Sequence, residues 1–299
     1  MSEDSQADTC CASCGIAEID DIKLVPCDGC DLVRYCGDEC RSEHEEDRKR
    51  RAAELRDKLL FKQPESSHMG DCPICFVPLS LDLSNSTLMP CCSNVICHGC
   101  EYANWMRENQ KSLAFPCPFC REPAPETEEE SDKRLMKRVE ANDPVAICQQ
   151  GFNEYNKGEY SSAIEYWTKA ADLGYAEAHY QLADLCRDVE GVEKKDVRKE
   201  IYHLEEAAIG GHPKARNNLG CIEGSNGNIE RAVKHWIIAA TQGDDHATEA
   251  LMEGFRKGLV KKEDLASALR SHQAAVDATK SPQRKAAEDW SRMKKETQG

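Results

Sequence analysis

Small and large apolar residues recur in register through the C-terminal half of the chain. An Ala-Ala-x2-Gly pattern occurs three times, at offsets of 37 and then 32 residues: Ala170-Ala171-x2-Gly174, Ala207-Ala208-x2-Gly211 and Ala239-Ala240-x2-Gly243. Other positions keep step with these copies: Ile164, Ile201 and Val233; Trp167, Leu204 and Trp236; Ala178, Ala215 and Ala247; Leu182, Leu219 and Leu251. The period predicts pairs of helices that stack into an all-α helical-repeat solenoid over residues 144–280.

Each part of the repeat has a predicted place in helix packing. The alanine pair allows two helices to approach closely, the glycine suits the left-handed cap that ends a helix, and the large residue three positions before the pair fills the core between repeats. A fourth, degraded unit over residues 245–279 is predicted to cap the stack. The spacing and the signature resemble Sel-one-like repeats, relatives of the tetratricopeptide repeat. A solenoid of this kind offers a concave surface, which favours recruitment of a protein substrate or peptide.

The N-terminal half is dominated by cysteine. Fifteen of the 18 cysteines lie in the first 120 residues, nearly all in Cys-x2-Cys or Cys-x3-Cys pairs. A disulfide framework would need an oxidising compartment and a signal peptide, whereas the first residues here are acidic and polar. The pairs are therefore predicted to be thiolate ligands for zinc, in a protein of the cytoplasm and/or nucleus.

Charge and hydropathy argue against two classes of partner. The formal net charge of −15 disfavours general binding to nucleic acid, because phosphate recognition needs a basic face. No apolar run reaches the length of a membrane-spanning helix, so no membrane partner is expected.

The first metal unit is predicted over residues 10–52. A segment of this size has too little apolar surface to fold by packing alone, so zinc binding and folding are predicted to be one event. Its candidate ligands come in short-spaced groups: Cys11 and Cys14, Cys27 and Cys30, and Cys36, Cys40 and His44.

These residues resemble the MYND zinc finger, a non-catalytic, peptide-binding family that interleaves two zinc ions. The resemblance implies one zinc held by Cys11, Cys14, Cys36 and Cys40, and a second held by Cys27, Cys30 and His44. The family closes its second site with His-x3-Cys, whereas the residue at that position here is Arg48. The second site is then one ligand short. It is completed by Glu45, Glu46, Asp47 or water, or it is weak or empty.

The second metal unit is predicted over residues 69–124, after a helical linker at residues 53–68. Its eight thiols form four pairs: Cys72 and Cys75, Cys91 and Cys92, Cys97 and Cys100, and Cys117 and Cys120. They resemble a RING finger in an all-cysteine variant. In that family the first and third pairs share one zinc and the second and fourth pairs share the other. Successive side chains of an extended backbone point to opposite sides, so Cys91 and Cys92 can face one ion only if the chain kinks there. Together the two units predict three to four zinc ions.

Four further residues extend the RING resemblance beyond the ligands. Ile74, Trp105 and Pro118 occupy positions that in the family form an apolar groove for a ubiquitin-conjugating enzyme. Arg121 matches the arginine that holds this enzyme and its attached ubiquitin in a reactive pose. The resemblance implies a ubiquitin ligase that acts by positioning, without a covalent intermediate. In the alternative interpretation Ile74 and Trp105 only pack the core, Pro118 only shapes a turn, and Arg121 is only surface charge.

Two leading hypotheses follow for the whole chain, and a nuclear co-regulator role through the MYND-like finger is a third. The first is a modular ubiquitin ligase in which the repeats select a protein substrate and residues 69–124 engage the conjugating enzyme. The second is a non-catalytic zinc-binding adaptor in which the fingers and the repeats all bind proteins. The remaining segments are an acidic linker at residues 125–143 and a charged tail at residues 281–299. The tail either extends a helix or is disordered, with Trp290 as a candidate anchor.

Overall fold

The computed structural model describes residues 11, 13, 23–26, 34–110, 115–188 and 196–298. It divides the chain into two compact units, Met1–Leu60 and Phe61–Gly299. No helix among these described residues is long and apolar enough to span a membrane.

The first unit contains a short antiparallel ribbon followed by a helix. Strands β1 (Val25–Pro26) and β2 (Arg34–Tyr35) pair through Val25 and Tyr35. Helix α1 (Asp38–Leu60) exposes most of its side chains, and ion pairs such as Glu45 with Lys49 at 2.9 Å join successive turns. Tyr35 is buried at the end of the ribbon, beside the first turn of α1. The helix therefore begins where the predicted metal ligands lie.

The segment at residues 61–68 is irregular, although the sequence predicts it as part of a helical linker. Helix α1 ends at Leu60, four residues before Pro64. Proline lacks the backbone N–H that a helix needs and restricts the residue before it, so the helix cannot continue through this segment. His68 then forms a backbone hydrogen bond to the carbonyl of Gly211 in the repeats, at 3.0 Å.

Residues 69–110 form a small mixed unit. After a 3-10 turn (Leu83–Asn85), strand β3 (Ser86–Leu88) pairs antiparallel with β4 (Val95–Cys97), and helix α2 (His98–Gln110) follows directly. Its buried core is dominated by cysteine and adds only Leu79 and Ile96. Such a core leaves little apolar surface to hold the unit together.

A run of helices forms the rest of the second unit within the described ranges. Their bounds are α3 (Glu128–Glu140), α4 (Pro144–Asn156), α5 (Tyr160–Asp172), α6 (Ala176–Asp188), α7 (Val197–Ile209), α8 (Pro213–Ser225), α9 (Ile229–Thr241), α10 (Asp245–Arg256), α11 (Lys262–Ala278) and α12 (Pro282–Gln298). Helices α4 and α5, α6 and α7, and α8 and α9 pack as pairs, and the pairs stack on one another. The predicted all-α repeat array is confirmed. The first repeat offset is five residues longer than the second, and the sequence places this difference in the connection around residues 191–195, which lies outside the described residues.

The repeated small residues occupy the positions that close helix packing requires. Ala170, Ala207 and Ala239 are fully buried. Each glycine of the signature ends a helix in the left-handed region, with a φ of +80° at Gly174 and +91° at Gly243. The indole of Trp167 lies directly against Gly151 of the preceding helix, where an added Cβ would approach Nε1 to 2.4 Å. Trp236 repeats this contact against Gly220.

The acidic linker and the charged tail are both largely helical, which is one of the two alternatives left open for the tail. Helix α3 covers most of the acidic linker and is capped by the Thr127 hydroxyl, which accepts from the N–H of Glu130. Helix α12 covers the charged tail and packs against α2. The last helix of the second unit therefore packs on its cysteine-rich part.

Candidate metal centres

Four cysteines of the second unit form the first cluster. Cys72 and Cys75 lie in the loop before β3, Cys97 ends β4, and Cys100 lies in the first turn of α2. Their four Sγ atoms all lie within 4.8 Å of one another. The Cys97 N–H donates to the sulfur of Cys72 at 3.5 Å, and Cys72, Cys97 and Cys100 are buried. The structure thus brings together the first and third pairs, as the RING resemblance implies.

The other four cysteines form the second cluster. Cys91, Cys92, Cys117 and Cys120 also place their sulfurs within 4.8 Å of one another. The sulfurs of Cys120 and Cys91 are 3.4 Å apart, and those of Cys92 and Cys117 are 3.9 Å apart. The adjacent Cys91 and Cys92 therefore both belong to it.

A tight turn explains how neighbouring cysteines face the same side. The N–H groups of Cys92 and Ser93 both donate to the carbonyl of Met89, at 3.2 and 2.8 Å, and Ser93 has a φ of +54°. The backbone is curled rather than extended, so the alternation of side chains along a strand does not apply. This turn is the kink that the sequence requires.

The two Cys-x2-Cys loops share one backbone geometry. Phe76 donates its N–H to the carbonyl of Cys72 at 2.8 Å, and Arg121 donates to the carbonyl of Cys117 at 3.0 Å. Phe76 and Arg121 both have positive φ, +54° and +65°. A non-glycine residue in this region is uncommon and is held there by its surroundings. Both loops are thus turned so that their two sulfurs converge.

The pKa values of these thiols depend on their burial and on one another. Burial raises the pKa of the Cys100 thiol well above its usual range, and the neighbouring Cys97 raises it further. Burial also raises the pKa of Cys72, but N–H groups of Cys97, Cys75 and Ile74 donate to its sulfur and bring the pKa to about 7. Four adjacent thiols cannot all ionise unless positive charge is placed among them. A zinc ion with tetrahedral sulfur ligands meets that requirement.

A third cluster lies in the first unit. Cys11, Cys36 and Cys40 place their sulfurs within 4.8 Å of one another, and Cys36 and Cys40 are 3.5 Å apart. Cys11 is buried with Leu24 and Tyr35. The structure thus brings together three of the four residues implied for the first MYND zinc. The fourth, Cys14, lies outside the described residues, as do Cys27 and Cys30 of the second site.

His44 is oriented by a hydrogen bond to the ribbon. Its Nδ1 lies 2.6 Å from the hydroxyl of Tyr35, and the two rings are 5.4 Å apart. Ligating histidines usually bind the metal through one nitrogen while the other makes such a bond. The structure therefore leaves Nε2 as the nitrogen of His44 that fits a metal.

The candidate contacts for a conjugating enzyme differ in their exposure. Ile74 lies at the tip of the first loop and is 36% exposed, and Pro118 is half-buried in the second loop. Trp105 is also half-buried, because the indole of Trp290 from α12 lies against it with ring centroids 5.1 Å apart. Trp105 therefore has an intramolecular partner.

Arg121 is tied to helix α2. Its Nη2 lies 3.1 Å from the carboxylate of Glu108, and its Nη1 donates to the side-chain oxygen of Asn104 at 3.3 Å. Hydrogen bonds from Arg107 and Arg121 lower the pKa of Glu108, which keeps this carboxylate charged. The guanidinium is still about half exposed, so it has both a fixed direction and open donors.

A fourth group, which the sequence does not predict, joins residues 61–68 to the repeats. The Nε2 atoms of His68 and His212 lie 3.1 and 3.2 Å from the same carboxylate oxygen of Glu177. Nδ1 of His212 accepts the N–H of Ala215 at 3.2 Å, so the proton of this imidazole is on Nε2 and is donated to Glu177. Gln181 donates to the other carboxylate oxygen. This protonation pattern fits a hydrogen-bonded clasp better than a metal site.

Three comparisons relate the chain to known proteins. Residues 11–51 match the family model of the MYND finger. DAP3-binding cell death enhancer 1 of Mus musculus is 25% identical over 174 residues, which cover 45% of this chain and 34% of the mouse protein. The chain therefore spans about a third of the length of that relative.

Two solved structures also resemble the chain. One is a protective antigen of uropathogenic Escherichia coli strains that displays an SLR fold, with 22% identity and a TM-score of 0.43, over 58% of this chain and 37% of that chain. The other is a Sel1 repeat protein from Oxalobacter formigenes, with 20% identity and a TM-score of 0.42, over 60% of this chain and 72% of that chain.

The MYND match and the cysteine clusters confirm the predicted cofactor and fold class. The chain has a MYND-type zinc finger at residues 11–51, cysteine clusters that fit several zinc ions, and an array of helices after them. The assignment of each cysteine as a ligand stays a prediction, as does the RING-type activity.

Proposed function

We propose that the chain is a RING-type ubiquitin ligase whose residues 69–124 position a ubiquitin-conjugating enzyme while its helical repeats recruit a protein substrate. The observation that carries this proposal is the pairing of the cysteines, first with third and second with fourth. The proposed ligands of this unit are Cys72, Cys75, Cys97 and Cys100 for one zinc, and Cys91, Cys92, Cys117 and Cys120 for the other. Each zinc would cross-link loops that are distant in sequence and so fix the loop tips relative to each other.

The loop tips carry the apolar surface that such an enzyme would contact. Ile74 is partly exposed, and its neighbour Phe76 is 77% exposed. Phe119, next to Pro118 in the second loop, is also exposed. Large apolar side chains that stay exposed are typical of protein interaction sites when they lie close together. Their position beside both clusters supports the loops, rather than the repeats, as the enzyme-binding surface.

Arg121 supports the catalytic part of the proposal through its geometry. Glu108 and Asn104 hold the guanidinium against α2, while the side chain stays about half exposed. A guanidinium has five donors, enough to bond the conjugating enzyme and ubiquitin at once. Restricting the motion of the ubiquitin thioester in this way accelerates its attack by an acceptor lysine without any group on the ligase reacting.

The repeats and the MYND finger supply the proposed partner contacts. Stacked helix pairs form extended surfaces that suit peptides and protein helices. The mouse relative is named for binding DAP3 and enhancing cell death, which supports a protein partner for the shared region. We place the protein in the cytoplasm and/or nucleus, where thiolates stay reduced and available to zinc.

A reconstituted ubiquitination assay tests the proposal. The full chain, loaded with zinc, is mixed with ubiquitin, activating enzyme and a panel of conjugating enzymes. Chain formation with at least one of them is expected, with a loss of roughly tenfold or more in Ile74→Ala and Arg121→Ala, the change a lost contact of about 1.4 kcal/mol produces. Leu83→Ala and Arg107→Ala are matched controls, since Leu83 is exposed in the same unit and Arg107 pairs with the same Glu108.

The second candidate function is a non-catalytic adaptor. It is favoured by the fact that Arg121 and Trp105 already have intramolecular partners, Glu108 and Trp290. In that case the loops bind a protein other than a charged conjugating enzyme. Activity with no enzyme of the panel, despite full zinc content, would select the adaptor.

A further inference from the structure

Helix α12 places one buried arginine in the loop of the first cysteine cluster. Arg284 lies in the first turn of α12, is 9% exposed, and is separated by 209 residues from Cys75. Its Nη1 donates to the carbonyls of Pro78 and Thr279, at 2.6 and 2.7 Å. Its Nη2 donates to the carbonyl of Val77 at 2.9 Å and to the sulfur of Cys75 at 3.8 Å. The guanidinium thus donates to three carbonyls and to the sulfur of one candidate metal ligand.

The backbone of α12 also packs closely against the turn that carries Cys97 and Cys100. A Cβ added to Gly99, which lies between Cys97 and Cys100, would approach the backbone N of Arg284 to 2.7 Å. Further along α12, the indole of Trp290 packs against Trp105 of α2. The absence of a side chain at residue 99 therefore permits α12 to rest on the turn that carries two of the four sulfurs.

We infer that Arg284 is an outer component of the first metal centre, which donates a hydrogen bond to the Cys75 sulfur and balances charge that the zinc ion leaves. Zinc with four thiolates carries a net negative charge, and burial makes an uncompensated charge unfavourable. A guanidinium is always protonated and supplies N–H groups to thiolate. Hydrogen bonds to a ligating sulfur reduce its basicity and its reactivity toward protons and electrophiles.

This role differs from that of a simple clamp for α12. Three of the four hydrogen bonds of Arg284 go to carbonyls, so its loss also loosens the helix from the loop at residues 77–78. If Arg284 acted only as a clamp, any substitution that loosens α12 would have the same effect as its loss. If Arg284 is an outer component of the metal centre, its loss raises the reactivity of the four sulfurs of the first cluster by more than the loosening of α12 does. The reactivity of the second cluster stays unchanged. The second cluster is therefore an internal control in the same molecule.

Site-resolved alkylation of the zinc-loaded full chain tests the inference. Wild type, Arg284→Ala, Arg284→Lys, Trp290→Ala and Arg292→Ala are treated with N-ethylmaleimide, and the rate at each cysteine is read by mass spectrometry. In Arg284→Ala we expect Cys72, Cys75, Cys97 and Cys100 to react roughly 10- to 100-fold faster, in proportion to the loss of metal affinity that removal of such an outer partner causes. The rates at Cys91, Cys92, Cys117 and Cys120 are expected to stay within about twofold of wild type.

The other variants separate the two roles. Trp290→Ala loosens α12 but keeps the guanidinium, so a smaller increase than in Arg284→Ala is expected. Arg292→Ala removes an exposed arginine of the same helix that pairs with Asp289, and no change is expected. Arg284→Lys keeps the positive charge and an N–H donor, so an intermediate alkylation rate is expected. If Arg284→Ala does not fold, Arg284→Lys replaces it in the test.

Replacement of zinc by cobalt gives a second measurement, which loosening of α12 alone is not expected to change. The sulfur-to-cobalt charge-transfer band is expected to shift to longer wavelength in Arg284→Ala and to stay in place in Trp290→Ala. Equal alkylation in both clusters, equal effects of Trp290→Ala and Arg284→Ala, or wild-type rates in Arg284→Ala and Arg284→Lys would each overturn the inference.

Discussion

The helical repeats and the cysteine-rich unit at residues 69–124 belong to one compact unit, yet different forces stabilise them. The repeats bury large and small apolar side chains in alternation, for example Trp167 at 1% exposure beside fully buried Ala170. The buried core of the cysteine-rich unit consists mainly of the candidate ligands themselves. Apolar packing distributes stability over many contacts, whereas a metal centre concentrates it in one ion. Metal removal should therefore destabilise the cysteine-rich unit, whereas truncation of a core side chain should destabilise the repeats.

Zinc removal is the change with the largest expected effect. Each structural zinc contributes about 10–16 kcal/mol, more than the small core at residues 69–124 can supply without it. A strong chelator is expected to abolish protection of amide hydrogens in β3, β4 and α2, while α4 to α10 stay protected. Hydrogen exchange followed by mass spectrometry makes this measurement.

Readdition of zinc is the control for that experiment. It should restore protection of residues 69–110 without altering the repeats. If the chelator left β4 and α2 protected, packing rather than metal would hold the cysteine-rich unit. If it unfolded all the repeats, the two parts would not be independent in stability.

Truncation of a repeat core residue is the converse change. Trp167→Ala removes a buried indole that packs on Gly151 and donates to the carbonyl of Cys148, and a loss of about 3–5 kcal/mol in unfolding free energy is expected. Zinc content should be unchanged. Tyr202→Ala, at an exposed position of the same repeat array, should change stability by less than about 0.5 kcal/mol. Loss of zinc from Trp167→Ala would show that the two parts cannot be separated.

The clasp that joins residues 61–68 to the repeats is expected to weaken in acid. Burial lowers the pKa of His212 to about 4, so the folded state favours the neutral imidazole. The contribution of His212 to the stability of the fold is complete above the usual pKa near 6.5 and is lost as the pH falls toward 4. Burial raises the pKa of Glu177, but hydrogen bonds from His212 and His68 lower it below its usual value, so its contribution is lost at still lower pH. When the pH falls from 7.5 to 5, we expect the titration of His212 to lower the free energy of unfolding by on the order of 2 kcal/mol.

Urea unfolding at the two pH values measures this effect. Zinc thiolates also take up protons in acid, so the informative quantity is the difference between wild type and His212→Asn. Asparagine can cap α8 but does not titrate, and the pH dependence should be smaller in that variant. His272→Asn, which removes an imidazole paired with Asp245, is the matched control. Equal pH dependence in wild type and His212→Asn would contradict the assignment.

The helix caps of the repeats carry the smallest expected effect. Gly174 adopts a φ of +80° with open space around it, so alanine there is strained by backbone conformation alone. Gly174→Ala should lower the unfolding free energy by about 1 kcal/mol, as thermal unfolding would show. Leu173→Ala, at the exposed neighbouring position, should have less effect. A neutral Gly174→Ala would mean that the glycine of the signature is not required by its conformation.

The sequence predicts those features whose causes repeat or lie close together along the chain. The alanine pairs and the left-handed glycines recur at fixed positions, so the solenoid and its caps follow from the pattern. The convergence of Cys72 with Cys97 follows from a resemblance rather than from periodicity. The contact of Arg284 with Cys75 could not be foreseen, because it joins residues 209 apart and one of them lies in a tail whose charges suggest solvation.

The clasp and the turn at Cys91 are further features that sequence reasoning cannot supply. His212 looks like an ordinary residue before a proline, yet it caps α8, bonds Glu177 and stacks on the ring of His68. Adjacent cysteines on a strand would diverge, and only the hydrogen bonds to the Met89 carbonyl turn Cys92 and Ser93 back. Tertiary contacts decide both cases.

Zinc pairing in the second unit tests the account most directly. The double variant Cys75→Ser with Cys100→Ser removes two sulfurs from the first cluster and none from the second. Native mass spectrometry of the full chain should show the loss of one zinc ion, and alkylation should find Cys91, Cys92, Cys117 and Cys120 still protected. Loss of two ions together with exposure of the second cluster would mean that Cys75 and Cys100 serve different sites, and the cross-braced arrangement would be contradicted.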